Sequence, residues 1–316
     1  MLVNKVMELI DFNGYEQNDR MYGGLSGNKV GICYNGENYI LKFPGNLKGR
    51  DMKNIQLSYS NSPVCEYLGS HIYQKLGIAV HDTLLGVRYG KIVVACKDFL
   101  ERGDRLNEFR EIKTTYEPQF LDLNGNATSG TGTDLLETIS TIDEHPFFKN
   151  VKNIKERFWD MFVVDAYIGN SDRNNGNWGV IVRLNGIKEI APVYDNGGCL
   201  NNKWDDEKMN RAINDAEAFK AQSYNGVTCI FTSNSKKINP FHFIQKMESP
   251  DCSLAVKRLI PRIRKSRSEI HSIINNNSVL SDPQKIFYCK ILDERLDQVL
   301  IPIYRKIMTK ECCNQR

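Results

Sequence analysis

Strand-like and helix-like patterns divide this chain unevenly. In the first hundred residues, β-branched and aromatic positions come in short runs: "KVGICY" and "NYILKF" flank an Asn-Gly pair, which predicts a hairpin. A helix is expected next. Ser62 suits the N-cap and Pro63 the first helical position, Val64, Leu68, Ile72 and Leu76 fall on one stripe, and Gly77 ends it. "HDTLLGVRYGKIVVACKDFL" reads as two strands turning at Tyr89-Gly90. From there on the pattern becomes helical, apart from one hairpin expected over residues 178–195. Ile154, Phe158, Phe162, Val163 and Ala166 mark a helix ending at Gly169-Asn170. The run "NGNATSGTGT" at 124–133 is flexible by composition and precedes a helix capped near Thr133 or Asp134. A cut between Asp98 and Asp104 gives two lobes, 1–100 and 101–316.

Composition narrows the picture only modestly. The chain has 316 residues, enough for a large core and two lobes, and a formal net charge of +4, too small and too spread for a dedicated nucleic-acid surface. The exception, "VKRLIPRIRKSR" at 256–267, reads as a solvated helical surface broken by Pro261 in preference to a patch for an acidic partner. Nine cysteines, an odd number with no Cys-x-x-Cys pair, read as reduced and mostly buried thiols. Charges interrupt the apolar start "MLVNKVMELIDF", and no run is long enough for a membrane span. The expectation is a cytoplasmic protein with no transmembrane segment, secretion without a cleaved signal staying open.

The candidate chemistry lies in "GNSDRNNGN", directly after the 154–168 helix and before the hairpin that ends in "YDNGG". Helix, polar loop, hairpin and acidic turn is the order of a kinase active site. In that arrangement Asp172 orients or deprotonates the attacking hydroxyl, and Asn177, five residues on, offers a hard oxygen to Mg²⁺ together with Asp195. Asp and Asn are common turn residues, so it is the joint spacing that points to a site. The first lobe supplies the rest: "YGGLSGNK" offers a phosphate-covering glycine loop (Gly23, Gly24, Ser26, Gly27, Asn28, Lys29), "YILKF" a strand lysine, Lys42, and "VCEYL" a helix glutamate, Glu66, to pair with it. Gly-x4-Gly-Lys-Ser/Thr, a strand-to-helix Gly-x-Gly-x-x-Gly and Gly-x-Ser-x-Gly are all missing, and the five histidines lack ligand spacing.

These segments, with "TLLG", "FWDMFVVDAYIGNSDRNNGNWG", "IAPVYDNGGCL" and "IHSIINN", resemble the HipA-type atypical serine/threonine kinases, and especially the small CtkA-like kinases, from about residue 20 to about residue 300. The resemblance implies an α+β, two-lobed protein-kinase-like fold with a small β-rich N-lobe and a larger, mostly helical C-lobe. It implies ATP and Mg²⁺ as cofactors and transfer to Ser or Thr of a protein. It places the adenine hinge at Lys97, Asp98 and Phe99 and makes Ser26 the candidate for autophosphorylation. An antitoxin-like or a host protein partner would each suit it. One departure keeps alternatives open: Asn174 follows Arg173 where His is usual, and an Asp-Arg loop followed by Asn and Trp also looks like type II phosphatidylinositol 4-kinases. A lipid kinase, or a nucleotide-binding pseudokinase acting as an interaction module, therefore stand beside the protein kinase.

Overall fold

The computed structural model describes residues 7–20, 22, 29–46, 60–115 and 129–314. Gly23, Gly24, Ser26, Gly27 and Asn28 of the expected glycine loop, and residues 124–128 of the small-polar run, lie outside the described residues.

A five-stranded sheet forms the N-terminal part. It comprises β1 (Ile10–Asp11), β2 (Lys29–Tyr34), β3 (Glu37–Lys42), β4 (Thr83–Arg88) and β5 (Lys91–Lys97), in the order β1-β4-β5-β3-β2. Only β1 and β4 run parallel. The β2–β3 turn follows from its sequence, since Asn35 and Gly36 both take positive φ, 51° and 79°, which closes a two-residue hairpin with the right twist. Helix α1 (Ser62–Lys75) packs its Val64, Leu68 and Ile72 stripe on the sheet. Its N-cap is Asn61 and not Ser62, which is already helical and bonds Ser60 through its hydroxyl. The Pro63 ring fixes φ for the first turn in either register, so the sequence signal was ambiguous by one residue.

The C-terminal part opens with β6 (Arg105–Glu108), α2 (Phe109–Thr114), α3 (Leu135–Glu144) and α4 (Ile154–Ile168). The expected hairpin is shorter than 178–195: β7 (Gly179–Val182) and β8 (Lys188–Ile190). It is joined by β6, a strand that periodicity did not announce, in a three-stranded sheet ordered β6-β7-β8. Helices α5 (Asp206–Asn214), α6 (Ala216–Lys220), α7 (Pro240–Lys246), α8 (Pro250–Asn275), α9 (Asp282–Arg295) and α10 (Ile301–Asn314) complete it.

Helix α4 is the centre of this part. Phe158, Trp159, Phe162, Val163 and Tyr167 are all nearly inaccessible, and at about 1.5–3 kcal/mol for each fully buried large apolar side chain their burial fixes where the following loop begins. α8 packs along α4 and is continuous through Pro261, contrary to the break expected there. Burial of Leu259, Ile260 and Ile263 on both sides of the proline outweighs the lost backbone bond. Of the six basic residues of this stretch, Arg258 pairs with Asp160 at 2.7 Å, and Arg267 with Asp293 and Asp297 at 2.8 and 2.7 Å.

Candidate active site

Three elements converge on one ion-paired corner. Lys42, the last residue of β3, places Nζ 3.3 Å from Glu66 Oε2 on α1 and bonds Asp195 Oδ1 from the acidic turn. Burial works against the Lys42 charge, but the Glu66 and Asp195 carboxylates outweigh it and hold the ammonium well above the usual lysine value. Glu66 is only 3% exposed, and its remaining lone pairs accept from His81 Nε2 at 2.9 Å and from the backbone N–H groups of Asn196 (3.0 Å) and Gly197 (2.9 Å). Burial alone would raise its pKa; Lys42 and the hydrogen bonds from His81 and Asn196 win, and the carboxyl sits far below the ordinary carboxylate range. Asp195 is likewise lowered, its burial outweighed by Lys42, with Lys29 contributing from the position on β2 directly opposite Lys42.

Ligand atoms of Glu66, His81 and Cys96 lie within 4.8 Å of one another, yet a cation fits them poorly. The glutamate oxygens are already taken by donors, an ammonium stands beside them, and burial pushes the Cys96 thiol up, so no thiolate is available.

The loop between α4 and β7 has a different construction. Gly169 ends α4 with φ +70°, the left-handed conformation that glycine adopts without strain. Asn170 Oδ1 then accepts the Asp172 N–H at 3.1 Å, and Asn177 Nδ2 donates to the Asp172 carbonyl at 2.6 Å, which ties the two ends of the Asp-to-Asn stretch together. Asp172 itself is exposed, touched by Asn174 Nδ2 at 3.1 Å. The Asn177 amide N–H₂ is committed to a carbonyl and Asp195 Oδ1 to Lys42, so Asn177 Oδ1 and Asp195 Oδ2 are the oxygens that could serve a cation.

Beneath the loop Arg173 is 2% exposed and donates to Asp165 at 2.8 and 3.1 Å, to Asn196 Oδ1 at 2.6 Å, to the Asn177 carbonyl at 3.0 Å and to the Tyr194 carbonyl. Tyr73 of α1 donates to the same Asp165 at 2.8 Å. One buried guanidinium thus links α4, the loop and the acidic turn, and through Asp165 also α1. Gly198 completes the junction: a Cβ there would sit 2.8 Å from Asn170 Oδ1 and 3.1 Å from Asp172 Cβ, so only glycine lets the acidic turn approach the loop this closely.

Lys97, Asp98 and Phe99 follow β5 at the rim. The N–H groups of Lys97 and Asp98 bond the carbonyls of Asp82 and Asn38, both at 2.8 Å. Asp98 carries Arg20 (2.5 Å) and Tyr22 (3.2 Å) on its carboxylate, and the Phe99 ring lies 5.7 Å from that of Tyr194, beside Asp195. Lys97 pairs at the surface with Glu37.

Sequence reasoning missed four supports: His81 behind Glu66, and Asp165, Asn196 and Tyr73 around Arg173. Asp165 did leave a signal, as the one charge within "MFVVDAYI" on a helix buried on nearly every side. His81 and Tyr73 left none, because their partners are distant in sequence.

A β-sheet part carrying a lysine paired to a helix glutamate, joined to a helical part that presents an Asp-Asn loop and an acidic turn, defines a protein kinase of the two-lobed class. The comparisons agree. The chain is 38% identical over 298 residues to the serine/threonine-protein kinase CtkA of Helicobacter pylori (strain J99), spanning 93% of this chain and 87% of that protein. The crystal structure of the Helicobacter pylori proinflammatory kinase CtkA superposes with a TM-score of 0.84 at 36% identity, covering 95% of this chain and 99% of that one. HipA in its complex with HipB and operator DNA from Shewanella oneidensis is more distant, with a TM-score of 0.49 at 12% identity over 94% of this chain and 70% of that one, too remote to bear on function. No family model matches the chain. The chain belongs to the CtkA family of serine/threonine-protein kinases.

Proposed function

We propose that this kinase transfers the γ-phosphate of ATP, with Mg²⁺, to Ser or Thr hydroxyls of a protein, and that the residues above divide the work. Asp172, exposed at the loop tip, receives the acceptor hydroxyl and takes or orients its proton. Lys42, held by Glu66, aligns the phosphates, while Gly23, Gly24, Ser26, Gly27, Asn28 and Lys29 cover them and Lys97, Asp98 and Phe99 border the adenine. Asn177 and Asp195 would hold Mg²⁺, which when bound neutralises the charge developing on the phosphates. The division into lobes at 98–104 leaves the nucleotide between the two halves.

What carries this reading is that Lys42, Glu66 and Asp195 reach one corner from three separate elements, while Gly198, three residues past Asp195, packs against Asp172. Among the described residues no helix is long and apolar enough to cross a membrane, and all nine cysteines are free, which supports a reducing cytoplasmic setting. Autophosphorylation at Ser26 would add about −1.5 to −2 charges where the ATP phosphates must lie, an inhibitory device. The acceptor is a protein, an antitoxin-like or host partner being the two classes to try first. Asp195→Asn tests the metal assignment: it should raise the Mg²⁺ concentration needed for half-maximal rate and lower turnover. Unchanged values of both would reduce the acidic turn to a hairpin end.

A further inference from the structure

Arg295, at the C-terminal end of α9, is 1% exposed and has no carboxylate partner among the described residues. Its Nε donates to the Ser223 carbonyl at 2.8 Å and one Nη to the Tyr167 carbonyl at 3.1 Å, two neutral acceptors for a full charge. Arg173, the comparably buried arginine of this part, has Asp165. Burial is the largest influence on Arg295 and, only partly offset by Cys199 and Tyr167, lowers its pKa to about 10, so the group stays protonated. The guanidinium lies flat against Gly169, where a Cβ would sit 2.7 and 2.8 Å from its two Nη atoms, so the glycine that ends α4 also makes the room for it.

The same guanidinium lines a cavity of about 330 Å³ bordered by the start of the loop that carries Asp172. Asn170 and Ser171, immediately before Asp172, form one wall, and Gly198, whose missing side chain faces Asp172, adjoins them. Lys203, exposed, and Trp204 stand at the rim. The carboxylate in this lining, Asp165, is already spent on Arg173. Among the described residues, no other carboxylate lies in the lining to pair with Arg295.

We infer that this cavity binds an anionic side chain of the acceptor protein, a carboxylate or a phosphorylated residue placed a few residues from the hydroxyl that Asp172 receives. A charge-assisted bond to a buried guanidinium discriminates strongly against a neutral side chain, because the alternative is an unpaired charge. The site therefore gives the kinase a preference for acidic or pre-phosphorylated sequences, with Lys203 drawing them in. The inference rests on the proposed role of Asp172, but the binding it requires does not.

Two measurements separate them. Phosphoserine is titrated calorimetrically into full-length protein whose nucleotide site is filled with Mg²⁺ and a non-hydrolysable ATP analogue. Wild type should bind it, Arg295→Gln should not, and Lys203→Glu, an exposed change that leaves folding alone, should weaken it about tenfold or more. In parallel, serine peptides carrying Glu, phosphoserine or Gln at successive flanking positions are offered as acceptors. Wild type should favour Glu or phosphoserine at one offset by about tenfold to a hundredfold in kcat/KM, and Lys203→Glu should erase most of that preference. The Glu and phosphoserine arms tell the two anion sources apart. Absence of phosphoserine binding in wild type, or equal binding by wild type and Lys203→Glu, overturns the cavity assignment whatever the peptides do. Binding as expected with no peptide phosphorylated would place the failure in the role given to Asp172 instead.

Discussion

Asp172 and Arg173 are neighbours in the chain, but one is exposed at the tip of a loop and the other is 2% exposed beneath it with five acceptor contacts from four residues. Among the described residues, the carboxylate of the first is touched only by the Asn174 amide; the second has every donor direction occupied. The difference separates a group kept available for a ligand from a group that holds the frame. Charges that are desolvated and fully paired contribute to the energy of the fold, and an exposed charge contributes little to stability. Removing each should therefore produce opposite signatures.

The largest effect belongs to the exposed member. Asp172→Ala should cut phosphoryl transfer by about 10² to 10⁴-fold, the usual weight of a positioned general base, with the unfolding midpoint unchanged. Steady-state rates and a thermal melt decide it, and wild-type turnover would remove Asp172 from the mechanism. Arg173→Met should do the reverse: about 3–5 kcal/mol lost from stability in denaturant titration, because Asp165 is left charged and buried. A loss under 1 kcal/mol would mean that the frame does not depend on this pair.

A smaller change is expected at the second buried partner. His81→Ala removes one donor from Glu66 but leaves the Asn196 and Gly197 N–H groups in place, so about 1.5–3 kcal/mol should be lost. If the melt does not move, the His81 contact is incidental.

How much of this was legible in the sequence follows from range. The Asn35-Gly36 hairpin, α4 with its glycine end, and the Asp172, Asn177, Asp195 series could be read because each is written within a few residues or in a fixed order of elements. The Lys42–Glu66 pair was legible only through the analogy of that order. The Arg173–Asn196, Glu66–His81 and Tyr73–Asp165 contacts pair residues 15 to 92 positions apart, and Arg295 reaches Tyr167 across 128. No local pattern records such a pairing. β6 was missed because "RLNE" gains its strand conformation from β7, and Pro261 was read as a break because local propensity does not register the burial around it.

The smallest expected effect comes from pH. The Glu66 carboxyl is held below its ordinary value, so its contribution is complete above about pH 4.5, the unfolded value, and is lost as pH falls toward the folded one. The stability difference between wild type and Glu66→Gln should shrink below pH 4.5 by at most about 1.4 kcal/mol per pH unit. A difference that grows on acidification would reverse the assigned charge states.

The most direct test of the central claim is one assay with two acceptors. Purified wild type and Asp172→Ala are incubated with Mg²⁺ and labelled ATP, side by side with serine- and threonine-bearing proteins and with phosphoinositide vesicles. The account predicts label on protein Ser or Thr in the wild-type reaction, little on lipid, and loss of the protein signal by at least about a hundredfold in the variant. Label appearing on the vesicles instead, or equal protein labelling by both enzymes, would contradict it.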